Sequence, residues 1–140
     1  MLARKGTEMN RHIFKTRIEE LRSLKGDEAL DPDGLDWFEE EFDTNFFPPY
    51  LYPNGMGGVR LEWVSVYFNG VVWEYPAELS LDIDLKTKRA FWHEWERVSD
   101  ADDSKELDLS NDADWVWLED RLFYWHVEFP DEQRRGNEND

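Results

Sequence analysis

Between Gly58 and Arg97 the chain alternates apolar and polar residues at a spacing of two, in four consecutive stretches: Val59–Phe68, Val71–Tyr75, Glu78–Lys86 and Ala90–Arg97. Successive side chains of an extended strand point to opposite faces, so this spacing dictates strands with one buried face. The clearest case is the third stretch, where Leu79, Leu81, Ile83 and Leu85 point one way. Glu78, Ser80, Asp82, Asp84 and Lys86 point the other. Asn69-Gly70, set between two apolar stretches, is a hairpin signal because both turn positions call for positive φ. Pro76 is expected to break the second stretch, since proline cannot donate to a ladder. Short links between neighbours make the whole an antiparallel meander of four strands over about residues 59–97.

Helical spacing flanks this region on both sides. Residues 9–25 place Ile13 or Phe14, Ile18, Leu21 and Leu24 on one face, with Arg11, Lys15, Arg17 and Arg22 largely off it and Gly26 as the stop. Residues 33–46, opened by Asp31 or Asp33 as cap, carry Leu35, Phe38, Phe42 and Phe46. Pro48 and Pro49 then end any helix and favour an extended Tyr50–Pro53. A helix over about residues 112–127, capped by Ser110 or Asn111, carries the stripe Trp115, Leu118, Leu122 and Trp125, which continues to Phe129 just beyond it. Residues 99–114 read as an acidic connection. Together these elements predict an α+β domain of two layers, spanning residues 1–129, with the helices packed on one face of the sheet. Residues 130–140 read as a disordered acidic tail.

At 140 residues the chain has a one-domain length, and an aromatic content of 16% supplies large rings for a core. There is no cysteine, which excludes disulfides, thiol nucleophiles and zinc–thiolate sites. Residues 1–25 hold seven Lys/Arg against three Asp/Glu, and the remainder holds nine against thirty, within a net charge of −17. A body this acidic repels nucleic acid and anionic membrane, and attracts a basic protein surface. The opening residues lack the apolar core of a signal peptide, and no apolar run reaches membrane-spanning length, so the expected setting is cytoplasmic.

Motifs for chemistry are sparse. No nucleophile elbow, phosphate-binding loop, His-Glu-x-x-His or kinase signature is present. The cluster Asn54–Gly58 precedes a strand rather than a helix, which suits a turn and not a phosphate cradle. A calcium loop starting at Asp100 would put Lys105 where glycine is needed and Asn111 where a bidentate carboxylate is needed, and is rejected. Of the three histidines, His12 and His126 lie on helices. His93 lies on the strand after Asp82 and Asp84, and its surroundings turn on the intervening loop. If Leu85 pairs with Ala90, His93 falls opposite Asp82 on the polar face. If Leu85 pairs with Phe91, His93 enters the core and Glu94 faces Asp82. The first register would gather Glu62, Asp82, Asp84 and His93 into a carboxylate–imidazole cluster able to hold a divalent metal or orient a general base.

Several segments together carry a resemblance: Ile18–Leu24, Asp33–Phe38, Pro49–Pro53, Gly57–Trp63, Leu79–Leu85, Trp92-His93 and Leu107–Ser110. The chain resembles a group of small, uncharacterised bacterial cytoplasmic proteins. It departs from that pattern in Pro53–Gly58, where the group carries a Pro-Thr-Pro-Glu-Gly-Gly lead into the first strand. The resemblance implies one domain and a cytoplasmic setting, and implies no activity, cofactor or catalytic residue.

The expected function is that of a non-enzymatic acidic binding or regulatory protein, such as an inhibitor, antitoxin or immunity-type partner of a basic protein. Its contact surface is expected at Glu78, Asp82, Asp84, Asp100, Asp102, Asp103, Glu106 and Asp108, with no cofactor and no metal. The alternative is a metal-assisted hydrolase built on Glu62, Asp82, Asp84 and His93. A homodimer joined along an edge strand or an aromatic patch is a third reading.

Overall fold

The computed structural model describes residues 8–42, 48–97 and 101–128. The expected contributions of Phe46, Asp100, Phe129 and the tail 130–140 lie outside the described residues. The elements run α1 (Glu8–Arg22), a single 3-10 turn (Gly26–Glu28), α2 (Pro32–Glu41), β1 (Tyr50–Pro53), β2 (Gly58–Phe68), β3 (Trp73–Asp84), β4 (Arg89–Glu96), β5 (Ala101–Asp108) and α3 (Asp112–Glu128). The five strands form one antiparallel sheet in the order β1-β2-β3-β4-β5. The α+β meander holds, with five strands where four were expected.

Three local reasons account for the difference in strand count. Trp73–Tyr75 and Glu78–Asp84, from the second and third stretches, belong to one strand, because the backbone runs through Pro76 with a register shift between Ser65 and Tyr67 on the partner β2. A bulge accommodates the missing proline donor without ending the strand. Tyr50–Pro53 is extended as expected, and pairs with Val59–Glu62 as an edge strand. Residues 101–108, expected as a connection, pair with β4 from Arg89↔Asp108 to Glu96↔Ala101. Their charge hid a strand at the sheet edge, where burial is slight and acidic side chains discourage further pairing.

The first hairpin also departs from expectation. Phe68 pairs with Trp73, so the loop is the four residues Asn69–Val72, and Val71 and Val72 are exposed. Gly70 has φ of 101°, but Asn69 does not enter the left-handed region. Instead the Asn69 side-chain oxygen accepts from the Val71 and Val72 N–H groups at 2.9 and 3.0 Å. This side-chain turn replaces the two-residue turn that the dipeptide suggested.

The helices cover one face. Odd-numbered β2 residues (Val59, Leu61, Trp63), odd-numbered β3 residues (Leu79, Leu81, Ile83) and even-numbered β4 residues (Ala90, Trp92) are buried with Phe14, Ile18, Leu21, Leu35, Phe38, Phe42, Leu118, Leu122 and Trp125 of the helices. Rings fill much of this layer, with Phe14–Phe38, Phe38–Phe42 and Phe42–Trp115 centroids 5.8, 4.9 and 5.0 Å apart. Most of the described tryptophans are therefore core or core-lining, and do not form an exposed stacking platform.

Specific polar contacts fix each helix. Asp31 caps α2 by accepting from Gly34 N–H at 2.9 Å, and Pro32 opens the first turn. A Cβ on Gly34 would stand 2.6 Å from the Leu85 Cβ, so glycine here lets the helix start sit directly on the β3–β4 turn. Asn111 caps α3 by accepting from Ala113 N–H at 2.8 Å. The basic helix α1 turns two arginines onto its own body. Arg22 reaches Asp36 and Glu39 of α2 at 2.9 and 2.7 Å, and Arg17 donates to the Pro48 and Pro49 carbonyls and lies over the Tyr50 ring.

Candidate binding face

Among the described residues the opposite face of the sheet bears no helix, and its side chains fall into transverse rows set by the register. One row is Tyr52, Arg60, Asp82, Phe91 and Glu106. The next is Tyr50, Glu62, Ser80, His93 and Ser104, and a third is Val64, Glu78, Trp95 and Asp102. Aromatic side chains are exposed here: Phe91 is 45% exposed, and Tyr50 at the sheet edge is 59% exposed with Arg17 over its ring. Carboxylates outnumber cations: Glu62, Glu78, Asp82, Asp84, Asp102, Glu106 and Asp108 stand against Arg60 and Arg89, beside His93.

Neither of the two expected registers after Lys86 occurs. Ile83 pairs with Ala90, Asp82 with Phe91 and Ser80 with His93. The reason lies in the turn. Asp84 Oδ1 accepts from Lys86 N–H and Thr87 N–H at 2.9 and 3.1 Å, and Lys88 adopts φ of 63° and donates to the Asp84 carbonyl. Leu85 thus leaves the strand, yet stays buried beneath α2. His93 keeps the polar face of the first alternative, displaced by two residues from Asp82.

This displacement divides the expected carboxylate–imidazole set among separate partners. Arg60 spans Glu62 at 2.9 Å and Asp82 at 2.7 Å. Asp84 is held by its own turn, and His93 Nε2 meets Asp102 Oδ1 of β5 at 2.5 Å. Among the described residues no three His, Asp or Glu side chains are grouped so as to hold a metal ion. Sequence reasoning missed Arg60 as the organiser of the face. Its place on the polar side of Gly57–Trp63, opposite the acidic side of Leu79–Leu85, was the available signal.

Of the residues expected at the contact surface, Glu78, Asp82, Asp84, Asp102, Glu106 and Asp108 share this face. Asp103 projects to the helix side, in register with Glu94. Glu78 and Glu106 make no ion pair among the described residues. Hydrogen bonds from the Thr87 and Lys86 backbone hold the Asp84 carboxyl below the usual carboxylate range. For Glu62, burial pushes the carboxyl up, but hydrogen bonds from Tyr52 and Arg60 outweigh it and leave the group below its ordinary value. The Ser110 hydroxyl and N–H likewise lower Asp108. These groups are anionic across the physiological range.

The face is not flat. At the end marked by the Asn54–Gly57 turn and the Asp84–Arg89 turn, a cavity of about 270 Å³ opens between Asn54, Met56, Asp82, Asp84, Arg89, Ala90, Phe91 and Glu106. No helix among the described residues is long and apolar enough to cross a membrane. In comparisons with known protein families, with curated proteins and with solved structures, nothing matches this chain.

Proposed function

We propose that this protein is a non-enzymatic binding protein that docks a basic partner protein on the helix-free face of its sheet, in the manner of an inhibitor, antitoxin or immunity partner. The observation that carries the reading is the coexistence, on one uncovered face, of exposed aromatic rings and a strong excess of carboxylates. Aromatic side chains supply contact area at low entropic cost. An anionic field speeds encounter with a cationic surface and fades with salt. The alternative hydrolase reading draws less support, because Arg60 holds Glu62 and Asp82, the turn holds Asp84 and Asp102 meets His93, so the four do not converge on one point.

Affinity capture from native lysate tests this, using the intact chain beside a charge-reversed face carrying Glu78→Lys, Asp102→Lys and Glu106→Lys. The expected result is a stoichiometric basic protein held at low salt, released at high salt and not held by the reversed face. No stoichiometric partner, a partner indifferent to salt, or equal capture by the reversed face would overturn the proposal.

A further inference from the structure

The cavity at the Phe91 end of the face has a more specific chemistry than the face around it. Phe91 sits on β4 with Asp82 beside it on β3 and Glu106 beside it on β5, all three in one transverse row. Neighbouring strands lie about 4.8 Å apart, so a nearly half-exposed aromatic ring is flanked by a carboxylate on each side at that spacing. Asp84 adds a third carboxylate to the wall, and Arg89 a single cation. Glu106 makes no ion pair among the described residues.

Three features select the occupant. The charge balance of the wall favours a cation over an anion. The volume of about 270 Å³ falls just under the roughly 300–1,000 Å³ typical of small-molecule sites, which suits a single long side chain rather than a cofactor. The aromatic wall between acids favours a planar, delocalised cation, which stacks on a ring while its N–H edge meets a carboxylate. The face already pairs one guanidinium with its carboxylates within the chain: Arg60 lies in the same row and spans Asp82 and Glu62.

We infer that this cavity is an anchor site for an arginine side chain of the partner, stacked on Phe91 and hydrogen-bonded to Glu106, with Asp82 and Asp84 supplying the surrounding field. The inference rests on the binding-protein reading and names the residue type through which that face would grip its partner.

Amide chemical shifts of the full chain, titrated with N-acetyl-arginine methylamide and with its lysine and citrulline counterparts, test the anchor. Citrulline keeps the planar shape and removes the charge. The expected result is saturable shifts centred on Asp82, Phe91 and Glu106, at least tenfold tighter for arginine than for citrulline and tighter than for lysine. Phe91→Ala and Glu106→Gln, both at exposed positions, should each abolish saturation while leaving the rest of the spectrum in place. Equal response to citrulline, equal response to lysine, or arginine shifts that survive Phe91→Ala would overturn the anchor. Should the face capture its partner while arginine shows no saturable binding, the anchor fails and the docking face stands. Should capture fail while the cavity still separates arginine from citrulline, the partner reading fails and the cavity stands.

Discussion

The two faces of this sheet treat the same kind of residue in opposite ways. On the helix-covered face the carboxylate of Glu94 is only 13% exposed; it accepts from Trp92 Nε1 at 2.8 Å and from both Arg121 Nε and Nη2 of α3. On the bare face Glu78 and Glu106 stand in water with no ion pair among the described residues, beside exposed rings. The difference follows from solvation. A carboxylate taken out of water must be met by donors or it destabilises the fold, whereas one left in water costs little and keeps its charge for another molecule. A carboxylate's partners thus separate the faces: on the covered face they tie Glu94 to α3, and on the bare face Glu78 and Glu106 keep an unpaired charge among the described residues.

The strongest way to break this comparison is to find the two faces equally sensitive to truncation. Leu81→Ala, at a fully buried position in the central strand, should cost about 3 kcal/mol in chemical denaturation. Phe91→Ala on the other face should cost under about 1 kcal/mol, since its ring is nearly half in water. Similar losses would mean that the bare face also builds the core.

A smaller effect separates the two arginines. Arg121→Ala leaves Glu94 with its Trp92 donor alone at a largely covered position, and should cost about 2–3 kcal/mol. Arg60→Ala, which is itself a third exposed and whose partners are about a quarter exposed, should cost about 1 kcal/mol in the same chemical denaturation. An Arg60 loss as large as that of Arg121 would show that the bare face is an internal electrostatic scaffold.

The smallest effect is a titration. Asp84 has its carboxyl lowered in the folded protein by the Thr87 and Lys86 N–H groups. A depressed carboxylate contributes stability that is present above its unfolded value, near pH ~3.9, and is lost as the pH falls through the folded value. The Lys86 and Thr87 amide resonances should therefore move with a midpoint below that unfolded value. Movement centred at or above pH 4 would remove Asp84 as the organiser of the turn.

How far the sequence could be read depended on how much of each element's pattern was local. Helical stripes such as Ile18-Leu21 and Leu118-Leu122 were legible because burial of one face repeats within a few residues. The caps at Asp31 and Asn111 were legible because a side-chain acceptor need only reach a nearby N–H. The edge strand β5 was not, since its composition is that of a loop and only pairing with β4 makes it extended. The bare face was partly legible: alternation placed Asp82 and Asp84 outward, but joining them to Phe91 and Glu106 needed strands far apart in the chain.

By itself the sequence determined the α+β class, the outward and inward sides of Glu78–Asp84 and the sign of the net charge, because periodicity and net charge are properties of the chain alone. The tertiary structure alone decided the register after Asp84, the strand made from residues 101–108 and the pairing of Arg60 with Glu62 and Asp82. Register is settled by the whole turn closing on its own N–H groups while Leu85 seats beneath α2, a balance of contacts that no single stretch of residues contains.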